Sequence, residues 1–270
     1  MNFFTPQFDL FWGICSAVLG IGLGSFATAV IHRLPRHMSL VHSDNKKPSR
    51  SECPHCGAQL RWYDLIPVLS WIMLRGACRF CKNSISPVYP LTELCTAIFC
   101  VLCFIIYGYT PITLFLFALS PILISIVLID ARHMVIPDLL NIWGAILAIL
   151  TAFSLSISFD IYTTQKLFLA MLAGGALYFA VSYTLRLIFL KMRKIEALGL
   201  GDVKFFAVAG LWLGIKALPY FMIYAGAFGV LYALCSRKFF SKQAFPFGPA
   251  LIMALIIMIL QKKTVFLTIL

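Results

Sequence analysis

Two aspartates in the second half of the chain have the surroundings expected of a catalytic carboxylate pair. Asp130 lies in LIDARHMVIPD (residues 128–138), and Asp202 lies in LGLGDVK (residues 198–204). Two carboxyl groups held close together cannot both ionise cheaply, so such a pair shares a proton. One member then activates a water molecule as a base while the other protonates a carbonyl oxygen. This is the chemistry of an aspartic protease.

Each aspartate also has a structural interpretation. Asp202 opens an apolar run and can cap the start of a helix, where a negative side chain is favourable. Asp130 lies at the end of an apolar run, on the unfavourable side of the helix dipole. A second alternative is an ion or proton relay, because ionisable residues at membrane depth are expensive and mark functional sites. The glycines at 199 and 201 let the backbone approach closely. The two acids together with Gly-x-Gly-Asp favour catalysis.

Four cysteines in the first third of the chain form a second candidate site. Cys53 and Cys56 make one Cys-x-x-Cys pair, and Cys78 and Cys81 make another after 21 intervening residues. Two such pairs can converge on one tetrahedral ion, usually zinc, and four thiolates leave no open position, so the expected role is structural. The alternative is a pair of disulfides, which do not persist in a reducing compartment.

The elements that must position these residues are apolar. Of the 270 residues, 61% are hydrophobic and only 12% are charged, whereas a water-soluble domain has roughly 25% charged residues. Residues 1–9 carry no Lys or Arg, so the first apolar run is predicted to be a retained anchor and not a signal peptide. Since a helix crosses a bilayer in about 20 residues, we predict an all-α polytopic membrane protein with about eight spans, at 10–31, 90–108, 111–129, 139–158, 166–190, 203–217, 219–235 and 247–260.

The net charge of +12 is an orientation signal and does not indicate a nucleic-acid partner. If the eight spans alternate from an outside N-terminus, one side of the membrane carries 18 of the 22 Lys and Arg residues. Cytoplasmic loops are enriched in these residues. The cysteine loop, Asp130 and Asp202 are all predicted to lie on that cytoplasmic side.

The chain resembles the bacterial prepilin peptidases, the type IV leader peptidases of the Gly-x-Gly-Asp aspartic membrane protease family. The resemblance runs nearly end to end and includes the four-cysteine loop. The other matching motifs are GSF (24–26), RLP (33–35), DLIPVLSW (64–71), YPLTE (89–93), ID (129–130), PD (137–138), EALGLGD (196–202) and FPFGP (245–249).

The resemblance implies an enzyme of the bacterial inner membrane with two activities. It implies that prepilins or type II secretion pseudopilins are cut after the glycine that ends a short basic leader. It also implies N-methylation of the new N-terminal residue with S-adenosylmethionine. The implied domains are an N-terminal transmembrane helix (1–31), a cytoplasmic zinc-binding loop associated with methylation (32–89) and a transmembrane peptidase (90–270).

The resemblance also assigns roles to single residues. Asp130 and Asp202 match the catalytic aspartates, and Asp138 is the second choice for the first of them. Glu93 matches a glutamate associated with methylation, with an interfacial acid as its alternative. The supporting residues implied around the catalytic pair are Gly199, Gly201, Asp138 and Lys204.

Three further interpretations concern the residues alone. The glycines at 20, 22 and 24 superficially resemble a nucleotide-binding loop, but they follow no strand, and close helix packing at Gly20 and Gly24 is the better explanation. If the chain were a transporter, the intramembrane acids would be explained, but the cysteine loop and Gly-x-Gly-Asp would not. A non-catalytic membrane scaffold held together by a metal would explain only the loop. Finally, Pro246 and Gly248 are predicted to loosen the last helix and widen access to the aspartates.

Overall fold

The computed structural model describes residues 10–36, 52–53, 55–157, 160–194, 196, 198–239 and 246–261. In this part of the chain the regular structure is helical, apart from two isolated β-bridges. The short 3₁₀ helices are Leu34–Arg36, Trp62–Leu65 and Ile215–Ala217. The α-helices are α1 (Leu10–Arg33), α2 (Leu69–Met73), α3 (Val88–Tyr107), α4 (Pro111–His133), α5 (Asp138–Ser156), α6 (Ile161–Arg193), α7 (Leu200–Leu213), α8 (Leu218–Phe239) and α9 (Gly248–Leu260).

Length and composition make six segments of the described chain long and apolar enough to cross a membrane. They are Leu10–Arg33, Val88–Tyr107, Pro111–His133, Asp138–Ser156, Ile161–Arg193 and Ile215–Cys235. The predicted spans 203–217 and 247–260 coincide with α7 and α9, whose 14 and 13 residues are fewer than the roughly 20 of a typical span. The prediction of an all-α, multi-pass membrane protein is confirmed, and the count of eight spans stays a prediction.

Large apolar side chains cover the outer faces of these helices. Phe11, Phe153 and Leu169 are 63%, 59% and 71% exposed. In water such a surface would be an unfavourable apolar patch, whereas in a bilayer it contacts lipid tails.

Some sequence-based predictions fall outside the described residues. These are the retained-anchor interpretation of residues 1–9, the motif residue Phe245, and Lys262 and Lys263, which entered the orientation argument.

The chain divides into two compact units, Met1–Ile105 and Ile106–Leu270. In the first unit, α1 and α3 approach closely along small residues. A side-chain carbon added at Gly20 would lie 2.6 Å from Cα of Ala97, and one added at Gly24 would lie 2.6 Å from Cα of Glu93. Only glycine allows this approach, so the packing interpretation of these glycines is confirmed.

In the second unit the short helix α7 lies between α5 and α6. Towards α5, the Trp212 indole N–H donates a 3.1 Å hydrogen bond to the Gly144 carbonyl. Towards α6, Gly174 and Gly210 face each other, and a side-chain carbon at either would lie 2.5–2.6 Å from the other's carbonyl oxygen. Contacts with α5 and α6 therefore fix the position of α7. Asp202 lies in the first turn of α7 and is positioned with it.

Gly210→Ala is expected to destabilise the second unit, because the new methyl group would overlap the Gly174 backbone, which has no flexible side chain to move aside. Overpacking of this kind costs about 1–3 kcal/mol. Thermal unfolding in detergent measures the effect. Gly226→Ala is the matched control, since a carbon added there meets nothing within 4 Å. Equal melting temperatures for the two variants would contradict the tight α6–α7 contact.

Candidate active site and metal centre

Asp130 lies in the last turn of α4 and is buried, with 4% of its surface exposed. Met134 ends the helix in the left-handed conformation, with φ 55° and an amide that donates to the Asp130 carbonyl. The Asp130 carboxylate accepts a 2.7 Å hydrogen bond at Oδ2 from the backbone N–H of Gly248, the first residue of α9. Sequence analysis placed Asp130 at the unfavourable end of its own helix, and the start of α9 supplies the missing positive partner.

Gly248 is at this position because no side chain fits there. A carbon added to it would lie 2.6 Å from Asp130 Oδ2 and 2.9 Å from Asp130 Cγ. Pro249 follows in the first turn of α9, where a missing amide hydrogen costs nothing. In the structure, then, Gly248 contacts the carboxylate directly, and the prediction that it widens access to the aspartates stays a prediction.

Asp202 lies in the first turn of α7, where its carboxylate accepts the Gly199 amide at 3.2 Å. A carbon added at Gly199 would lie 3.1 Å from Asp202 Oδ2. Asp202 and Asp130 lie within electrostatic range, and a negative charge on Asp130 disfavours one on Asp202. The two aspartates that sequence analysis selected thus lie within electrostatic range of each other, and the sharing of one proton between them stays a prediction.

Gly201 faces the segment that joins α4 to α5. An added carbon would lie 3.1 Å from Ile136 Cβ and 3.2 Å from its carbonyl oxygen. From α5, the Asn141 amide reaches the Gly201 carbonyl at 3.5 Å, at the outer limit of a hydrogen bond. Both glycines of Gly-x-Gly-Asp are therefore places of close approach: Gly199 to the aspartate, Gly201 to the neighbouring backbone.

Asp138 and Lys204 form an ion pair on the surface next to this segment. The Lys204 ammonium donates to both Asp138 carboxylate oxygens, at 2.7 and 2.8 Å. The Asp138 and Lys204 side chains are 62% and 47% exposed, unlike the buried Asp130. Asp138 is the first residue of α5 and Lys204 lies in α7, so this pair links the two helices.

Two features near the aspartates were missed by sequence analysis. One is the Gly248 amide, a backbone group that sequence patterns do not reveal as a partner. The other is Arg186 of α6, which is 9% exposed and donates to the Leu198 carbonyl at 2.7 Å and to Glu196 at 2.6 Å. A signal for Arg186 was present, because it is the only charged residue between Lys166 and Lys191 in an apolar run.

An apolar cavity of about 240 Å³ lies in the second unit, close to both aspartate-bearing segments. Its wall includes Leu198 and Phe247, each directly before a glycine whose amide bonds to an aspartate. Phe206, one helical turn after Asp202, also lines it. The remaining lining residues are Leu185, Phe189, Met222, Ala225 and Gly226.

The four loop cysteines converge in the first unit. Their sulfur atoms all lie within 4.8 Å of one another, and those of Cys53 and Cys81 are 3.9 Å apart. Four sulfurs bound to one zinc ion at about 2.3 Å are roughly 3.8 Å apart, so the four-thiol donor set fits tetrahedral zinc. The cysteine cluster predicted from the spacing is confirmed, and the identity of the metal stays a prediction.

The backbone repeats itself around the two cysteine pairs. The Cys53 amide donates to the Ala58 carbonyl at 3.0 Å, and the Cys78 amide donates to the Asn83 carbonyl at 2.8 Å. The left-handed turns also match, with Gly57 at φ 67° and Lys82 at φ 60°. Each pair thus forms an equivalent knuckle. In the first knuckle, backbone amides of residues 56 and 55 lower the pKa of Cys53 to about 6, which favours the thiolate that binds metal.

Glu93 ties the segment after the first knuckle to α3. Its buried carboxylate accepts the Val68 amide at 2.7 Å. Val68 has φ 58°, a conformation that a β-branched residue adopts only when its surroundings impose it. In the structure Glu93 holds the loop in place, and its link to methylation stays a prediction.

Comparisons with known families cover both units. The family described as "Bacterial Peptidase A24 N-terminal domain" matches residues 18–107, and the "Type IV leader peptidase family" matches residues 115–234. No solved structure matches the chain.

Several relatives are similar over most of their length. The "Type 4 prepilin-like proteins leader peptide-processing enzyme" of Escherichia coli O78:H11 is 34% identical over 91% of this chain and 92% of its own. The "Prepilin leader peptidase/N-methyltransferase" of Klebsiella pneumoniae is 35% identical over 82% of this chain and 94% of its own. The protein of that name from Vibrio cholerae is 30% identical over 90% and 94%.

The purified chain is expected to contain about one zinc ion, measured by elemental mass spectrometry, because the four thiols fit one tetrahedral ion. Cys78→Ser removes one ligand and is expected to lower the zinc content and expose the loop to protease. Cys95→Ser is the control, since Cys95 is an exposed helix residue outside the cluster. Absence of metal, with disulfides found within the cluster by peptide mapping, would contradict the zinc centre.

Proposed function

The chain belongs to the type IV leader peptidase family, and we propose that it removes the short basic leader from type IV prepilins or type II secretion pseudopilins. The bond that it cuts follows the glycine at the end of the leader. The observation that carries the proposal is the buried Asp130, which is held by the Gly248 amide and lies within electrostatic range of Asp202. The relatives named as prepilin leader peptidases support the substrate class.

Cleavage follows from one proton shared between the two carboxyl groups. The ionised aspartate takes a proton from a water molecule, whose oxygen attacks the scissile carbonyl carbon. The protonated aspartate gives its proton to the carbonyl oxygen, which yields a tetrahedral diol. When the carbon–nitrogen bond breaks, the leaving nitrogen takes a proton from one carboxyl group and a diol hydroxyl returns a proton to the other. The pair is then ready for the next cycle.

The active site is proposed to lie at the cytoplasmic face of the bacterial inner membrane. In this arrangement the chain makes eight spans, with 32–89, 130–138, 191–202 and 236–246 on the cytoplasmic side. The concentration of Lys and Arg on that side supports the orientation. The basic leader of a precursor would then approach from the cytoplasm while its apolar segment stays in the bilayer.

The second proposed activity is N-methylation of the new N-terminal residue. The names of the relatives as N-methyltransferases support it. S-adenosylmethionine supplies the methyl group, and the amine releases one proton when it accepts it. We assign this activity to the loop 32–89, in which the four cysteines would hold one zinc ion between the two knuckles and Glu93 fixes the Val68 segment.

Asp130→Asn and Asp202→Asn are each expected to lower cleavage at least about 10³-fold, because an amide can neither take nor give the shared proton. Asp138→Asn is the control and is expected to stay within about tenfold of wild type, since Asp138 pairs with Lys204 at the surface. Mass spectrometry of a prepilin incubated with purified enzyme measures the rate. Cleavage by Asp130→Asn together with an inactive Asp138→Asn would transfer the first catalytic role to Asp138.

Gly248→Ala is expected to lower cleavage about 10²-fold, because the new methyl group would push the Asp130 carboxylate from its position and small displacements of catalytic groups cost about that much. The melting temperature checks that the variant is folded. Gly226→Ala is the matched control, with open space around the added carbon. A folded Gly248→Ala enzyme with the wild-type rate would show that the Gly248–Asp130 contact is not needed.

A further inference from the structure

Arg186 is a buried cation with two defined acceptors. Its side chain is 10% exposed, and its partners are the Leu198 carbonyl and the Glu196 carboxylate. A buried guanidinium requires such partners, because an unpaired charge in an apolar environment is very unfavourable. Its hydrogen bonds to a backbone carbonyl and to a carboxylate mean that Arg186 fixes the positions of Leu198 and Glu196, which lie between α6 and α7.

The peptide group that Arg186 contacts is the one that contacts Asp202. The Leu198 carbonyl and the Gly199 amide belong to a single planar peptide unit. Its oxygen accepts from Arg186 at 2.7 Å, and its N–H donates to Asp202 Oδ2 at 3.2 Å. Hydrogen bonds in series polarise one another, so a cation on the carbonyl strengthens the amide as a donor. Arg186 and Asp202 are therefore connected through one peptide plane.

A purely structural role for Arg186 would be to hold α6 and α7 together. That contact is already made by Gly174 and Gly210, where a carbon added to either residue would lie 2.5–2.6 Å from the other's carbonyl oxygen. Arg186 lies twelve residues after Gly174 in α6, about 18 Å further along the helix axis. Leu198 lies just before the start of α7, the end of that helix that carries Asp202. Arg186 therefore acts at the end of the helix pair where Asp202 lies.

We propose that Arg186 is a positioning residue for Asp202: it orients the Leu198–Gly199 peptide so that the Gly199 amide holds the catalytic carboxylate. This inference rests on the proposed peptidase function. Leu198 also lines the apolar cavity, so the same contact fixes one wall of that cavity.

The test is steady-state cleavage of a prepilin by Arg186→Met, Arg186→Lys and Glu196→Gln. Arg186→Met is expected to lower kcat about 10- to 100-fold, because Asp202 loses its fixed position, with KM within about twofold of wild type. Arg186→Lys keeps one cationic donor for the Leu198 carbonyl. Its kcat is therefore expected to be at least about fivefold higher than that of Arg186→Met. Glu196→Gln leaves that contact in place and is expected to stay within about threefold of wild type.

Arg193→Met is the matched control, since it removes the same charge from an exposed position at the end of α6. It is expected to keep the wild-type kcat. The melting temperature of each variant separates loss of fold from loss of positioning, and if Arg186→Met does not fold, Arg186→Gln and Arg186→Lys replace it. A folded Arg186→Met or Arg186→Gln enzyme with the wild-type kcat would overturn the proposal, as would Arg186→Lys with no gain over the neutral variant. Failure of the wild type to cleave any prepilin would instead contradict the proposed function.

Discussion

The second unit depends on how two acidic side chains are accommodated among apolar helices. A buried or half-buried carboxylate is very unfavourable without donors, and here the buried Asp130 and the half-buried Asp202 each receive a backbone amide at the start of a helix. Gly248 of α9 donates to Asp130, and Gly199, directly before α7, donates to Asp202. Backbone amides add no further titratable group to the site. In the proposed mechanism the carboxyl groups therefore remain the pair that exchanges protons, and the glycines determine how closely the chain can approach them.

The packing of the other helices in this unit keeps these two amides in place. α7 is held between α5 and α6, by a tryptophan hydrogen bond on one side and by facing glycines on the other. α9 is short, with 13 residues, and starts at the carboxylate. The first unit is built around a different constraint: four thiols converge, and Glu93 holds the Val68 segment in a left-handed conformation. The four-thiol cluster and the two aspartates thus lie in separate units of one chain.

The sequence predicted the helices well because apolar runs of span length leave few alternatives. Errors at helix ends came from polar residues: α6 starts at Ile161, before the predicted 166, because Asp160 caps it by accepting the Thr163 amide at 3.2 Å. The aspartates and cysteines were selected because charges and thiols in this chain are few or regularly spaced. The backbone N–H groups that donate to the two aspartates were not predicted from the sequence. Gly248 is 118 residues from Asp130 and acts through its backbone, and no local pattern encodes such a contact.

The central claim is that the scissile bond is cut between Asp130 and Asp202. An experimental structure of the Asp202→Asn variant with an uncleaved prepilin in a lipid nanodisc tests it most directly. We expect the scissile carbonyl carbon to lie between the Asp130 carboxylate and the side-chain amide that replaces the Asp202 carboxylate, with the Gly248 N–H still bonded to Asp130. A scissile bond held beside Asp138 and Lys204, with Asp130 remote from the substrate, would contradict the claim.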